Sequence, residues 1–212
     1  MQDWIDDLKD QFFKDDRVEE LRQLAQKMKF TFLAKQRFSE QAFEIKDFRI
    51  FKGKKAKRFK GILSTQLVEL GLKVRIYDYV YFGDEGKKTT TIFEFQSKNL
   101  QFPRVRIQRK KTTDFLKKLF KNSPDLPYPG WDYLHKKYTI QCENPFRFEE
   151  AINIFFLEEL LQQPEISVEG EDDHLIFYLP KKKLPVKEIP KYYEWSLKQI
   201  KLLKYNPEDD YV

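Results

Sequence analysis

The chain has 212 residues, 41% hydrophobic and 35% charged, with 20 Phe and 11 Tyr; at this length one sizeable domain or two small lobes bury roughly 70% of the unfolded surface, so a real core is expected. The single cysteine, Cys142, excludes an internal disulfide, and no Cys/His cluster has zinc spacing. The net charge of +6 is unevenly spread, because Asp3, Asp6, Asp7, Asp10, Asp15, Asp16, Glu19 and Glu20 make the start acidic while residues 49–60 and 104–121 are strongly basic. Such asymmetry suits a nucleic acid, an anionic membrane surface or an acidic protein partner; ordinary solvated faces neutralised by the chain's own acidic segment are the plainer reading.

The start, MQDWIDDLKDQFF, lacks the basic region, apolar run and cleavage site of a signal peptide, which predicts a chain that is not exported. The most apolar segment, residues 151–161, is interrupted by Glu158 and Glu159 and is far shorter than the roughly 20 residues that span a bilayer. A cytoplasmic protein, soluble or peripheral to a membrane, is expected.

Residues 1–28 form the first predicted region, a helical arm. Trp4, Ile5, Leu8, Phe12 and Phe13 make one apolar stripe and Val18, Leu21, Leu24, Ala25 and Met28 another, with a break at Asp15-Asp16 where carboxylates suit the positive end of a helix dipole. The arm either packs on its own core or binds a partner. A β-rich lobe with one helix is predicted over residues 29–121. Phe30 and Phe32 alternate with Lys29 and Thr31, and Phe43, Ile45, Phe48, Ile50 and Phe51 suggest a second strand with an irregularity near Asp47. Gly53 ends it, and Lys54, Lys55, Lys57, Arg58 and Lys60 are expected to crowd a turn before Phe59, Ile62 and Leu63 resume apolar character.

The scaffold of this lobe is residues 73–96, KVRIYDYVYFGDEGKKTTTIFEFQ, two long strands joined at Gly83-Asp84-Glu85-Gly86. Period-two alternation places Val74, Ile76, Asp78, Val80 and Phe82 on one face and Arg75, Tyr77, Tyr79 and Tyr81 on the other. Neither face is simply polar, so cover on both sides is expected. A further strand carries Leu100, Phe102, Val105 and Ile107 and begins at Pro103 or lies at an edge. A helix then presents Phe115, Leu116, Leu119 and Phe120, before a Pro-rich linker over residues 122–130 marks a lobe boundary.

The second lobe, residues 131–204, is predicted as strand, helix, hairpin, helix. Tyr138, Ile140 and Cys142 alternate as a strand; Asn144 caps a helix with Pro145 at its first position, burying Phe148, Ile152, Phe155, Phe156, Leu160 and Leu161. Ile166 and Val168, a turn over residues 170–173, and Leu175, Phe177 and Leu179 make a hairpin. A basic connector, residues 180–185, leads to a last helix presenting Tyr193, Leu197, Ile200 and Leu203, followed by a frayed tail at 205–212. The fold class is therefore α+β, a predominantly antiparallel sheet with packed helices in two lobes plus the arm.

LAQKMKFTF at 24–32, FRIFKGKKAKRFKGIL at 48–63, IYDYVY at 76–81, TIFEF at 91–95, KKYTIQCENPFRFEEAINIFF and ISVEGEDDHLIFY carry a resemblance over roughly residues 20–204. The ordered pattern resembles a group of uncharacterised bacterial proteins, many of them membrane-anchored ahead of the corresponding region. The resemblance implies no known activity and no catalytic residue, and this chain departs from the anchored members by lacking a membrane span.

Among chemistry-bearing residues, His135 and His174 lie on separate segments, and Cys142 on an apolar strand face reads as an inert core residue. Glu169, Glu171, Asp172 and Asp173 lack calcium-loop spacing and read as a solvated hairpin tip rather than a cation site. Asp78, on the apolar face of the central strand, needs a cationic or hydrogen-bonding partner if ionised, and is either half of a structural ion pair or an active-site acid. Lys54, Lys55, Lys57, Arg58 and Lys60, with Arg104, Arg106, Arg109, Lys110 and Lys111, form one phosphate-contacting patch if their strands are neighbours, with Tyr77, Tyr79 and Tyr81 for stacking unless they fill the core. No catalytic set, metal site or cofactor motif is read. The expected function is a non-enzymatic binding or interaction module for a protein or membrane-associated partner. Sequence-independent nucleic-acid binding through the basic segments is one alternative, and an enzyme of unrecognised class with Asp78 in its site is the other.

Overall fold

A computed structural model describes residues 16–38, 45–83, 85–110, 136–163 and 165–204. The expected first half of the arm, the strand position Phe43, the helix around Phe115, the linker, Lys111, His135 and the tail lie outside the described residues. Eight strands and four helices of the described residues make an α+β chain. It divides into two compact units, residues 1–95 with 181–190 and residues 96–180 with 191–212.

In the first unit, helix α1 (Asp16–Met28) precedes strands β1 (Thr31–Arg37), β2 (Lys55–Leu67), β3 (Leu72–Gly83) and β4 (Gly86–Gln96), which neighbour one another in that order. Asp16 and Glu19 occupy the first turn of α1 and Lys27 the last, matching the helix dipole at both ends. Leu21, Leu24 and Ala25 are buried, and the helix packs on β1 and β2. Close approach is set by Gly61, which takes φ +56° and whose missing Cβ would stand 2.3 Å from Leu21 Cδ1. The β2–β3 register shifts by one residue between Lys60 and Leu63, so Gly61 sits at a bulge.

Two expectations change here. Residues 45–53 are successive turns rather than a strand: the amides of Phe48, Phe51 and Lys52 donate to the carbonyls of Ile45, Phe48 and Arg49. Ile45, Phe48 and Phe51 recur every third residue and are all buried, a spacing that fits i to i+3 turns better than period two. Residues 55–60, read as a turn crowded with cations, are the first half of the 13-residue β2, because Phe59 must enter the core and partners on β1 and β3 satisfy the backbone. The central strands follow expectation, since both faces of β3 are buried from Ile76 to Tyr81. On one of them Phe38, Phe51, Phe59, Tyr77, Tyr79 and Tyr81 pack ring against ring, with centroid separations from 4.5 Å for Phe59–Tyr77 to 6.2 Å for Phe38–Tyr79.

In the second unit, β5 (Phe102–Arg109), β6 (Tyr138–Cys142), α2 (Pro145–Ala151), α3 (Ile154–Gln162), β7 (Ser167–Asp172), β8 (His174–Tyr178) and α4 (Ile189–Lys204) follow in sequence, and its strands lie in the order β8-β7-β5-β6. β5 pairs antiparallel on both sides, with Pro103 at its start beside a register shift. The single helix expected after Asn144 is two: Ile152 is extended, and the side chain of Asn153 accepts from the Phe155 amide to start α3. The hairpin turn is also tighter than expected. Gly170 and Glu171 stay in the ladder opposite Leu175 and His174, and Asp172 takes φ +51°. Gly170 serves packing instead, because a Cβ there would lie 2.9 Å from Leu175 Cδ1. Tyr138 is buried, and its hydroxyl lies 2.7 Å from the Leu160 carbonyl, to which it donates, and 3.2 Å from that of Gln163; the amides of Gln163 and Ile166 also donate to these two carbonyls, so the ring is tied to the end of α3.

Gly61→Ala is expected to lower unfolding free energy by about 1–3 kcal/mol in urea titration, through left-handed backbone strain and the Leu21 contact. In a Leu21→Ala background the same Gly61→Ala change should cost less, by the contact part alone. For Tyr138, burial pushes the hydroxyl up to about 12, with Arg109 pulling the other way, against about 10 when unfolded. Since the folded value is the higher, its stabilisation is complete below about pH 10 and is lost as pH rises toward about 12. Tyr138→Phe should cost about 1 kcal/mol at neutral pH and flatten the alkaline fall of stability across that window, measured by denaturant midpoints.

Candidate functional site

Asp78, on β3, is 4% exposed and receives a bidentate guanidinium. Arg17 on α1 donates from Nε to Oδ2 at 2.5 Å and from Nη2 to Oδ1 at 3.0 Å, and Thr91 on β4 donates its hydroxyl to Oδ1 at 2.7 Å. The same Thr91 oxygen accepts from the Leu184 amide at 3.0 Å, and the Thr91 amide donates to the Lys182 carbonyl at 3.1 Å. One carboxylate thus joins α1, β3, β4 and the segment that returns at residues 182–184.

The opposite face of the same hairpin holds a second buried acid. Glu94, 4% exposed, accepts from Arg75 Nη1 at 3.1 Å and from the Tyr77 hydroxyl at 2.7 Å. Burial first, and then the Glu94 charge, pushes the Tyr77 hydroxyl well above its ordinary value. The second unit contains a related trio: the Tyr178 hydroxyl donates to Glu169 Oε1 at 2.5 Å, with Arg106 Nε 3.7 Å from the same oxygen. Tyr178 is likewise raised, by burial and then by Glu169.

Glu169, expected at a solvated tip, is 2% exposed, because its place on β7 turns it inward toward Tyr178. Of its expected neighbours, Glu171 lies 3.5 Å from Arg104, and Asp173 is held by His174 Nδ1 at 2.7 Å and by Gln96 Nε2 at 3.0 Å. Among the described residues, no group of three His, Cys, Asp or Glu side chains stands where it could hold a metal ion. Cys142 is half-buried, its thiol raised chiefly by burial, and donates to the Asn144 carbonyl at 3.2 Å.

The expected basic residues divide between the units. Arg104, Arg106, Arg109 and Lys110 belong to the second, where Arg104 lies 3.3 Å from Glu143 and Arg106 pairs with Glu169. Lys54, Lys55, Lys57, Arg58 and Lys60 belong to the first; the Lys57 ammonium lies 4.6 Å from the Phe38 ring centre and that of Lys54 5.3 Å from the Tyr81 ring centre. Burial lowers Lys57 below its ordinary value. Tyr77, Tyr79 and Tyr81 are 1%, 0% and 5% exposed, so the stacking role considered for them gives way to core filling: rings so covered present no face to a base.

The basic residues singled out from the sequence do not include those on β1. Lys35 stands directly opposite Lys60, and Arg37 directly opposite Arg58. Continuing across β2, Lys60 faces Asp78 and Arg58 faces Val80. The signal was present in the alternation of KQR, but it becomes visible only once β1 and β2 are in register. Glu94 carries a local signal, the lone charge within TIFEF, that the sequence reading did not single out; nothing local marks Arg17 as the counter-ion to Asp78.

A groove of about 460 Å³ lies beside α1, lined by Arg17, Glu20, Gln23, Leu24, Lys27 and residues 185–187. A hollow of about 270 Å³ in the second unit is lined by Asn99, Gln101, Phe102, Arg147, Glu150 and Leu203, among others. Neither includes Asp78, Glu94 or Glu169 in its lining.

No protein-family model matches the chain, and no curated protein sequence does. Among solved structures it is similar to the mycobacterial trehalose monomycolate transport factor A, TtfA, at TM-score 0.57 and 11% identity, over 89% of this chain and 93% of that one. The likeness is one of fold. Among the described residues, no helix is long and apolar enough to cross a membrane.

Removing one half of the Arg17–Asp78 pair strands a buried charge. Arg17→Ala is expected to destabilise by about 3 kcal/mol or more in urea titration. Asp78→Asn should cost less, because an amide oxygen still accepts from Thr91 and Arg17, and the double change Arg17→Met with Asp78→Asn should cost less than the sum of its parts.

Proposed function

We propose that this chain is a non-enzymatic interaction module that offers a surface to a protein or membrane-associated partner. The observation that carries this reading is where the buried acids go. Asp78, Glu94 and Glu169 each accept from an arginine, a hydroxyl or both in bonds internal to one unit, and none of the three lines the two hollows beside α1 and α4. An acid that acts on a substrate needs a route to it and a proton to exchange. A carboxylate held by a bidentate guanidinium and a hydroxyl has its oxygens taken up by the structure.

The shared fold with a protein described as a transport factor agrees with a role in assembly or transport rather than in turnover, as does the resemblance to proteins that are often membrane-anchored. The nucleic-acid alternative loses the aromatic platform that such binding uses, because the β3 tyrosines are buried.

The test is a turnover screen paired with two variants. Asp78→Asn and His174→Ala, each verified as folded by thermal melting, are expected to leave any measured property of the surface unchanged at temperatures below their melting points. A single-turnover activity on a substrate panel that vanishes in either folded variant overturns the reading.

A further inference from the structure

We propose that the groove beside α1 takes an extended peptide segment of a partner protein, in which an acidic and a basic residue flank two apolar ones. This deepens the interaction-module reading and rests on it.

The groove holds about 460 Å³, within the range of ligand-binding clefts. One wall is a single face of α1, where Arg17, Glu20, Leu24 and Lys27 recur at helical spacing with Gln23 beside them; residues 185–187 form the other. All of these residues belong to the first unit. Leu24 is buried, and with Pro185 and Val186 it supplies the apolar part of the lining. Arg17 is already engaged by Asp78. The remaining polar groups are not engaged: among the described residues the side chains of Glu20, Gln23, Lys27 and Lys187 make no hydrogen bond or ion pair.

Unpaired charges of both signs in one concavity set the chemistry of the occupant. Glu20 and Lys27 are seven residues apart on α1, about 10.5 Å along its axis. In an extended, polyproline II-like chain, residues three apart lie on the same side about 9.3 Å from each other. A carboxylate on one and a cation on the other therefore reach Lys27 and Glu20 together, in charge-assisted bonds. The two residues between them turn to the sides, toward the apolar parts of the walls, and the Gln23 amide can both donate to and accept from a peptide unit. A helix is a poorer fit, since a cylinder 10–12 Å across fills about 800 Å³ or more over that length. A nucleic acid is poorer still: Glu20 repels phosphate, and no aromatic ring lines the groove for a base to stack on.

The probe is the blocked hexapeptide Gly-Glu-Leu-Pro-Lys-Gly, titrated into the isotope-labelled whole chain and followed by amide chemical shifts. It is expected to shift amides of residues 17–27 and 186–187 saturably. Its neutral counterpart Gly-Gln-Leu-Pro-Gln-Gly should bind about fivefold more weakly, the sum of two exposed ion pairs. Lys27→Gln with Lys187→Gln should weaken the charged peptide about threefold and leave the neutral one unchanged. The control Lys73→Gln, exposed at the start of β3, should change neither. Absence of groove shifts, equal affinity of the two peptides, or equal loss in the control would overturn the proposal. So would displacement of the peptide by acetate at equal ionic strength, by an oligonucleotide or by anionic vesicles, or groove shifts that follow the chain's own concentration without peptide. None of those outcomes touches the interaction-module reading, which falls only on turnover.

Discussion

A carboxylate buried on a strand with both faces covered must be met by a cation, and that single requirement organises the first unit. Asp78 draws Arg17 from α1 onto the sheet, and Thr91 carries the connection on to the Leu184 amide. Desolvating the charges costs several kcal/mol per ion, so the pair's net stabilisation is small; its effect lies in selecting one arrangement over others. A helix shifted along the sheet would keep its apolar contacts but leave Asp78 without Arg17. Gly61 adds a steric condition to that electrostatic one, since only a residue without Cβ admits Leu21 at this distance.

The same solution recurs with different parts. Glu94 is held by Arg75 and Tyr77, and Glu169 by Tyr178 with Arg106 beside it. In both, the tyrosine hydroxyl supplies a short neutral donor while the guanidinium supplies charge, which is the pairing a buried anion needs to satisfy its lone pairs. Both tyrosines are pushed up by their own burial first and by the adjacent carboxylate second. Satisfaction is not complete everywhere. The hydroxyl of Tyr79 is buried in the aromatic cluster with no hydrogen-bond partner among the described residues, as are the side-chain polar atoms of Gln199 on α4. Such groups cost about 1–3 kcal/mol each when left dry.

How much of this the sequence disclosed follows the range of the interactions. The β3–β4 hairpin was legible because alternation over residues 73–96 is a local pattern, and its two apolar faces already implied cover on both. Asp78 was conspicuous for the same reason. Its partner was not, since Arg17 is 61 positions away and a helical arginine carries no local mark of its target. Residues 45–53 differ from the expected strand because Ile45, Phe48 and Phe51 recur every third residue, a spacing that buries all three in successive turns. The cations of residues 54–60 resembled a turn because Gly53 and Gly61 bracket them, yet Gly61 is a bulge inside β2. The opposed pairs Lys35–Lys60 and Arg37–Arg58 depend on register, which no single strand encodes.

A fold likeness across 89% of the chain at 11% identity means that very different side chains support this architecture. The interactions that build it therefore say little about what a given member does, for they belong to the scaffold. In this chain the scaffold consumes the buried acids and the aromatic rings. Opposed basic residues on the edge ladder belong to it as well. Lysine on an edge strand also guards against strand-to-strand aggregation, but that purpose is met by charge on β1 alone. The second row, on β2, stands between that edge and Asp78, since Lys60 faces Lys35 on one side and Asp78 on the other.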